Sequence, residues 1–229
     1  MEKLRFNPFN QIHKGLRALL YHTSLQLQQC DFINEVQTRE ALAQVNEVIE
    51  LFEEHAEVED GKLFPLIQGY APEIVADFEQ QHDTDHELAV SLQNALQDVK
   101  KAETYKEKLK AGHALCLAFQ EFTAFNIKHM NAEEIVVNDV LWRFYSDEEL
   151  IQRQKEIASQ VDPRLNNRYA YWMLKGLALH EIINWFTIVQ QSAPAPVWEN
   201  LKQVARTALS PTALFEIENA IASHNLTTA

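Results

Sequence analysis

Leu51-Phe-Glu-Glu-His55-Ala-Glu-Val-Glu59-Asp-Gly-Lys-Leu-Phe-Pro65 sets two helical rules against each other. Upstream of it, Val45, Val48, Ile49 and Phe52 recur every three or four residues, the stripe of a helix that faces a core. The stripe then runs through His55 and Glu59 before it returns to Leu63. An imidazole and a carboxylate on a buried face need partners, because an unpaired buried charge is prohibitively costly. One such pair is compatible with a satisfied core histidine and a carboxylate near a helix end. The same violation on other helices, at the same height, would point instead to a shared site.

Composition limits what that site can serve. The chain has 229 residues, 46% of them hydrophobic, enough for one large domain or a domain with an annex. It holds only five Gly and seven Pro, and long runs pass without either, so an all-α chain is expected. The net charge of −13 argues against a nucleic-acid partner, which calls for a basic face. No apolar run reaches membrane-spanning length, and the first residues lack the apolar core of a leader. Cys30 and Cys116 form neither a disulfide framework nor a metal-ligand spacing. These features predict a soluble, cytoplasmic protein with no membrane or nucleic-acid partner.

Taken in order, the first helix should run from near Pro8 to near Cys30, with Ile12, Leu16, Leu19, Leu20, Thr23 and Leu27 as its stripe. His13 lies on or beside that stripe, while His22, nine residues on, is about half a turn away, so His13 is the one expected to face the core. Asn34 and Gln37 are spaced like an N-cap and its partner at the start of the second helix. Pro65 has no amide to donate and clashes with the carbonyl four residues back, which predicts a kink just past Glu59. The third helix reads Val75, Phe78, His82, His86, Ala89, Leu92, Leu96, Val99. After a Thr104/Glu107 capping box, the fourth reads Leu115, Ala118, Phe122, Phe125, His129, Glu133, Val136, Val140. The midpoints between successive polar pairs fall in or near the three turns. In an up-down-up-down four-helix bundle, residues equidistant from a turn lie level, so all seven polar side chains should share one layer.

Five imidazoles and two carboxylates are too many for one tetrahedral zinc site, and an N/O set of this size suits two octahedral first-row ions, iron being the natural candidate. At this point the sequence resembles the hemerythrin HHE cation-binding family. The resemblance covers roughly residues 8 to 145 and rests on His13, His55-x-x-x-Glu59, His82-x-x-x-His86 and His129-x-x-x-Glu133, with Leu63-Phe64-Pro65 after the second motif. It implies two iron ions joined by an oxo or hydroxo bridge, with Glu59 and Glu133 also bridging and the five histidines as terminal ligands. Counted on two six-coordinate ions, such a set leaves one position for an outside ligand. The oxygen carriers of this family place an aspartate five residues after the last histidine. Here Glu133 stands four residues on, with Glu134 at the five-residue position. The form found here is more like the branch tied to repair of iron centres, nitric-oxide chemistry and iron sensing.

Other motifs fall short. Glu79-x-x-His82 is half of a ferritin-type site without its second half, and His180-Glu181-Ile-Ile-Asn184 misses the zincin pattern at its last residue. Asp83, Asp85 and Asn126 could orient ligand histidines from behind, although solvated helix faces are the preferred reading of the two aspartates. The expected division is a metal-binding bundle over residues 1–145 and a helical extension over 146–229, with about four or five short helices. The extension holds Trp172, Trp185 and Trp198, aromatic content that suits a small second core or a dimer interface. The functional expectation is a di-iron protein that binds or processes a small diatomic ligand, O2 or NO, or senses iron. Its rival is a metal-stabilised interaction module whose C-terminal helices contact a partner or dimerise.

Overall fold

The structure, a computed structural model, describes residues 5–227, with side chains described as far as Ala222. It is all-α: no strand occurs among the described residues. Four long helices come first: α1 (Asn10–Gln29), α2 (Glu35–Val58), α3 (Pro72–Lys101) and α4 (Tyr105–Ala132). Short turns join them, the connectivity of an up-down-up-down bundle. Their starts follow local chemistry. Asn34 accepts from the amides of Val36 and Gln37, although the Gln37 side chain reaches the amide of Asp31 rather than closing a box. Thr104 and Glu107 do form the reciprocal capping box. No described helix is long and apolar enough to cross a membrane.

The bundle core is a seam with alternating steps of three and four residues. On α3 it comprises Val75, Phe78, His82, Asp85, Ala89, Leu92, Leu96 and Val99. On α4 it includes Leu115, Phe119, Phe122, Asn126, His129 and then Glu133. Such a seam is the heptad pattern of helices crossing at a shallow angle. Below the polar residues, Phe9, Leu63, Phe64, Ile67, Val75, Phe78, Val137, Val140, Leu141 and Leu150 close the end of the bundle with a dry cluster.

Two helices widen where their carboxylates stand. A π turn spans Glu59–Leu63, followed by a 3₁₀ turn over Phe64–Leu66. Pro65 cannot donate to the Gly61 carbonyl, and the amide of Phe64 bonds instead to the Glu59 carbonyl, five residues back. The expected kink therefore takes the form of a widened turn. A second π turn spans Glu133–Val137 with no proline near it. There the amide of Asn138 bonds to the Glu133 carbonyl, and the Asn138 side-chain amide donates to the Glu134 carbonyl at 3.0 Å. A buried side chain thus serves the carbonyl that a regular α-helix would have paired with that amide.

After α5 (Asn138–Phe144) come α6 (Asp147–Gln160), α7 (Pro163–Gly176), α8 (Leu179–Ser192), α9 (Ala195–Ala208) and α10 (Pro211–Thr227). The chain divides into two compact units, Met1–Asn10 with Leu19–Gln160, and Gln11–Ala18 with Val161–Ala229. The division falls after α6 rather than at residue 145. Leu150 joins the dry cluster, and Asp147 accepts from the Arg5 guanidinium at 2.6 Å and from the Phe6 amide at 3.2 Å. The second unit has its own core, in which Leu174, Ile182, Phe186, Leu201, Ala205, Ile217 and Ile221 are buried and Trp185 and Trp198 pack against them. Within it, the early part of α1 meets α7 at two glycines. A Cβ on Gly15 would stand 2.8 Å from the Met173 amide nitrogen, and one on Gly176 would land on the Lys14 carbonyl. Lys14 also pairs with Glu181 at 2.6 Å.

Candidate metal centre

Five of the expected residues come together in the first unit. His55 Nε2 on α2 stands 3.2 Å from Glu59 Oε1 at the start of the first π turn, and His129 Nε2 on α4 stands 3.3 Å from Glu133 Oε1 at the start of the second. From α3, His82 Nε2 reaches Glu59 Oε2 at 3.4 Å and His129 Nε2 at 3.1 Å. Ligand atoms of Glu59, His82, His129 and Glu133 all lie within 4.8 Å of one another, and so do those of His55, Glu59 and Glu133. Glu59 and Glu133 belong to both groups. All five residues are at most 8% exposed.

The other expected residues fare differently. His13 is completely buried on α1, in the segment counted with the second unit, whereas His22 and His113 are exposed. His86 does not enter either group: its side chain is 69% exposed, and its Nδ1 lies 4.0 Å from Glu53 on the surface. The reason is helical phase. After Val75, Phe78 and His82, the seam steps by three to Asp85 and then by four to Ala89, so His86 falls one position off it. Of the two adjacent glutamates, Glu133 is fully buried, while Glu134 accepts from the Asn7 side-chain amide at 3.2 Å. Asp83 is exposed. Asp85 and Asn126 bond to each other at 2.5 Å, one turn from His82 and His129, so they extend the polar layer without touching the outer ring nitrogens.

Those nitrogens are held by two residues that periodicity did not single out. Asp60 Oδ1 lies 2.7 Å from His82 Nδ1, and Gln81 Oε1 lies 3.0 Å from His129 Nδ1. Each ring also has a phenylalanine on its face. Phe64 stacks on His82 at 5.5 Å with 13° between planes, and Phe125 on His129 at 6.0 Å with 9°. Asp60 directly follows a motif glutamate and Gln81 directly precedes a motif histidine, the one sequence signal that could have drawn attention to them.

The electrostatics favour a cation. Each ring has an acceptor oxygen at Nδ1 and turns its Nε2 toward the carboxylates of Glu59 and Glu133 and toward the other ring. The two Nε2 atoms, 3.1 Å apart, converge with two carboxylates, an electron-rich setting that suits a cation. Burial, and then the neighbouring Glu133 carboxylate, push the Glu59 carboxyl well above its ordinary range. Imidazole nitrogens and carboxylate oxygens converging in an apolar layer are the donor set of a first-row metal ion. Searches of the curated proteins and of the solved structures find no match to this chain. The model of one family, described as the hemerythrin HHE cation binding domain, matches residues 7–141. With that match over more than half its length and a His/Glu cluster at the level of the motifs, the chain belongs to the hemerythrin HHE cation-binding family.

Proposed function

We propose that the centre holds two iron ions and binds or processes a small diatomic ligand, O2 or NO, or senses iron through its occupancy. The supporting observation is that Glu59 and Glu133 are common to both ligand groups, as two carboxylates between a pair of ions would be. His55, with the buried His13 as a further imidazole, would serve one ion, and His82 with His129 the other. That gives four protein donors to each ion, two imidazoles and two carboxylates. Octahedral ions take six, so room for outside ligands would remain on both ions. The exposed His86 is what separates this count from the single vacancy implied by five histidines.

When bound, the ions would supply Lewis acidity and one-electron redox change inside the bundle. The chain's own residues do the rest. Glu59 and Glu133 would offset the positive charge, and Phe64, Phe78 and Phe125, packed on the rings, would shield the centre from bulk water and favour small ligands. The test is metal analysis of anaerobically iron-loaded protein, followed by optical titration with azide, O2 and NO. Two irons per chain and new near-ultraviolet or visible absorption are expected. A fully loaded sample that responds to none of the three would sink this reading and leave the metal-stabilised interaction module.

A further inference from the structure

We infer that Asp60 and Gln81 are positioning residues that fix which nitrogen each of His82 and His129 offers to the metal, and that they make the two imidazoles unequal donors. The inference rests on the metal reading above for its second half only; the first half concerns the rings themselves.

Consecutive residues of the first π turn grip one ring from both sides. Glu59 Oε2 stands 3.4 Å from His82 Nε2, and Asp60 Oδ1 stands 2.7 Å from His82 Nδ1. Side chains of neighbouring helical residues diverge by about 100°, so a single turn can reach the inner and the outer nitrogen of a ring lying across it. On α3, Gln81 similarly reaches across to α4 and takes His129 Nδ1 from the residue directly before His82. A half-turn would leave each ring in the same plane against Phe64 or Phe125 but would break its Nδ1 hydrogen bond, so that bond sets which edge faces inward. Both Nε2 atoms therefore point inward.

The two supports differ in charge. A carboxylate behind an imidazole strengthens it as a donor more than a neutral amide does, and such partners typically tune metal affinity by about 10–100-fold. His82, backed by Asp60, is then the stronger donor of the pair, and His129, backed by Gln81, the weaker. Asp60 is 42% exposed on its side chain, so it can be changed without emptying the core.

The experiment uses the full chain in two states. In the metal-free protein, long-range proton–nitrogen NMR reads which nitrogen of His82 and His129 is protonated. With Zn2+ as the probe, competition against a chromogenic chelator reads affinity. Wild-type protein should show Nδ1–H on both rings. D60A should lose Nδ1–H at His82 and bind Zn2+ about 10–100-fold more weakly. D60N, which keeps an acceptor oxygen but not the charge, should restore the Nδ1–H signal with only part of the affinity, and Q81E should bind more tightly than wild type. A folded D60A variant with the His82 tautomer unchanged and affinity within about twofold of wild type overturns the inference, since 10-fold is the smallest effect expected. If wild-type protein shows both Nδ1–H signals yet binds no metal ion, the metal reading fails while the locking of the rings stands.

Discussion

Replacing Glu59 with Gln should remove most of the metal-induced stability while leaving the metal-free protein at least as stable as before. Glu59 is 2% exposed and faces His55 at 3.2 Å and His82 at 3.4 Å, so one carboxylate serves both ligand groups. At a free metal concentration of 100 times Kd, each ion adds about 2.7 kcal/mol. Two ions add about 5 kcal/mol, and at about 2–4 °C per kcal/mol for a chain of this size the Tm should rise by roughly 10–20 °C. If the variant weakens each ion about 100-fold, the same metal concentration equals Kd, and each ion adds only about 0.4 kcal/mol. The increment then falls to about 2–4 °C in total. The metal-free change has the opposite sign. The folded pKa of Glu59 is raised by burial and by Glu133, so this group costs stability as the pH climbs above its unfolded value. A neutral amide lifts that cost at pH 7. Thermal unfolding with and without iron under anaerobic conditions, paired with metal analysis, reads both effects. A variant with two ions and the full wild-type increment would refute the shared-carboxylate argument.

His86→Ala should keep wild-type metal content, while His82→Ala lowers it, as metal analysis of the two variants side by side would register. Gly176→Ala should lower the Tm, because its Cβ meets the Lys14 backbone rather than a yielding side chain; overpacking of this kind costs about 1–3 kcal/mol or more. Thiol titration should count two free thiols after unfolding and find both slow in the folded protein. Burial is the main reason, raising the pKa of Cys30 and of Cys116, with each thiol accessible only in part.

What was legible in the sequence was whatever repeats with a helical period. Val45 to Glu59 and Val75 to Val99 announce the buried faces, and the caps at Asn34 and Thr104 mark where helices begin. The exposure of His86 has a simple cause: His82 and His86 are related by one helical turn, but a seam that alternates three and four allows only one of the positions 85 and 86 to face inward. Charge gave no guidance there, since the buried choice is an aspartate and the exposed one an imidazole. The Glu59–Leu63 widening was half legible through Pro65, whereas the Glu133–Val137 widening depends on one side-chain amide, Asn138, whose role no periodicity reveals. Asp60 and Gln81 escaped because they lie off the stripe and act across it.

The division of α1 between two compact units bears on the order in which the protein can be assembled. Residues 11–18 are made before Val161–Ala229, the segment they are grouped with, and the Lys14–Glu181 pair joins residues 167 positions apart. Closing such a long loop is slow compared with zipping up the α3–α4 hairpin, so the opening turns of α1 would gain their contacts with α7 and α8 only after those helices have been made. During that interval Gly15 and its neighbours lack the Met173 backbone against which they finally rest. A chain halted after the family segment would therefore carry Gln11–Ala18 without the residues they are grouped with.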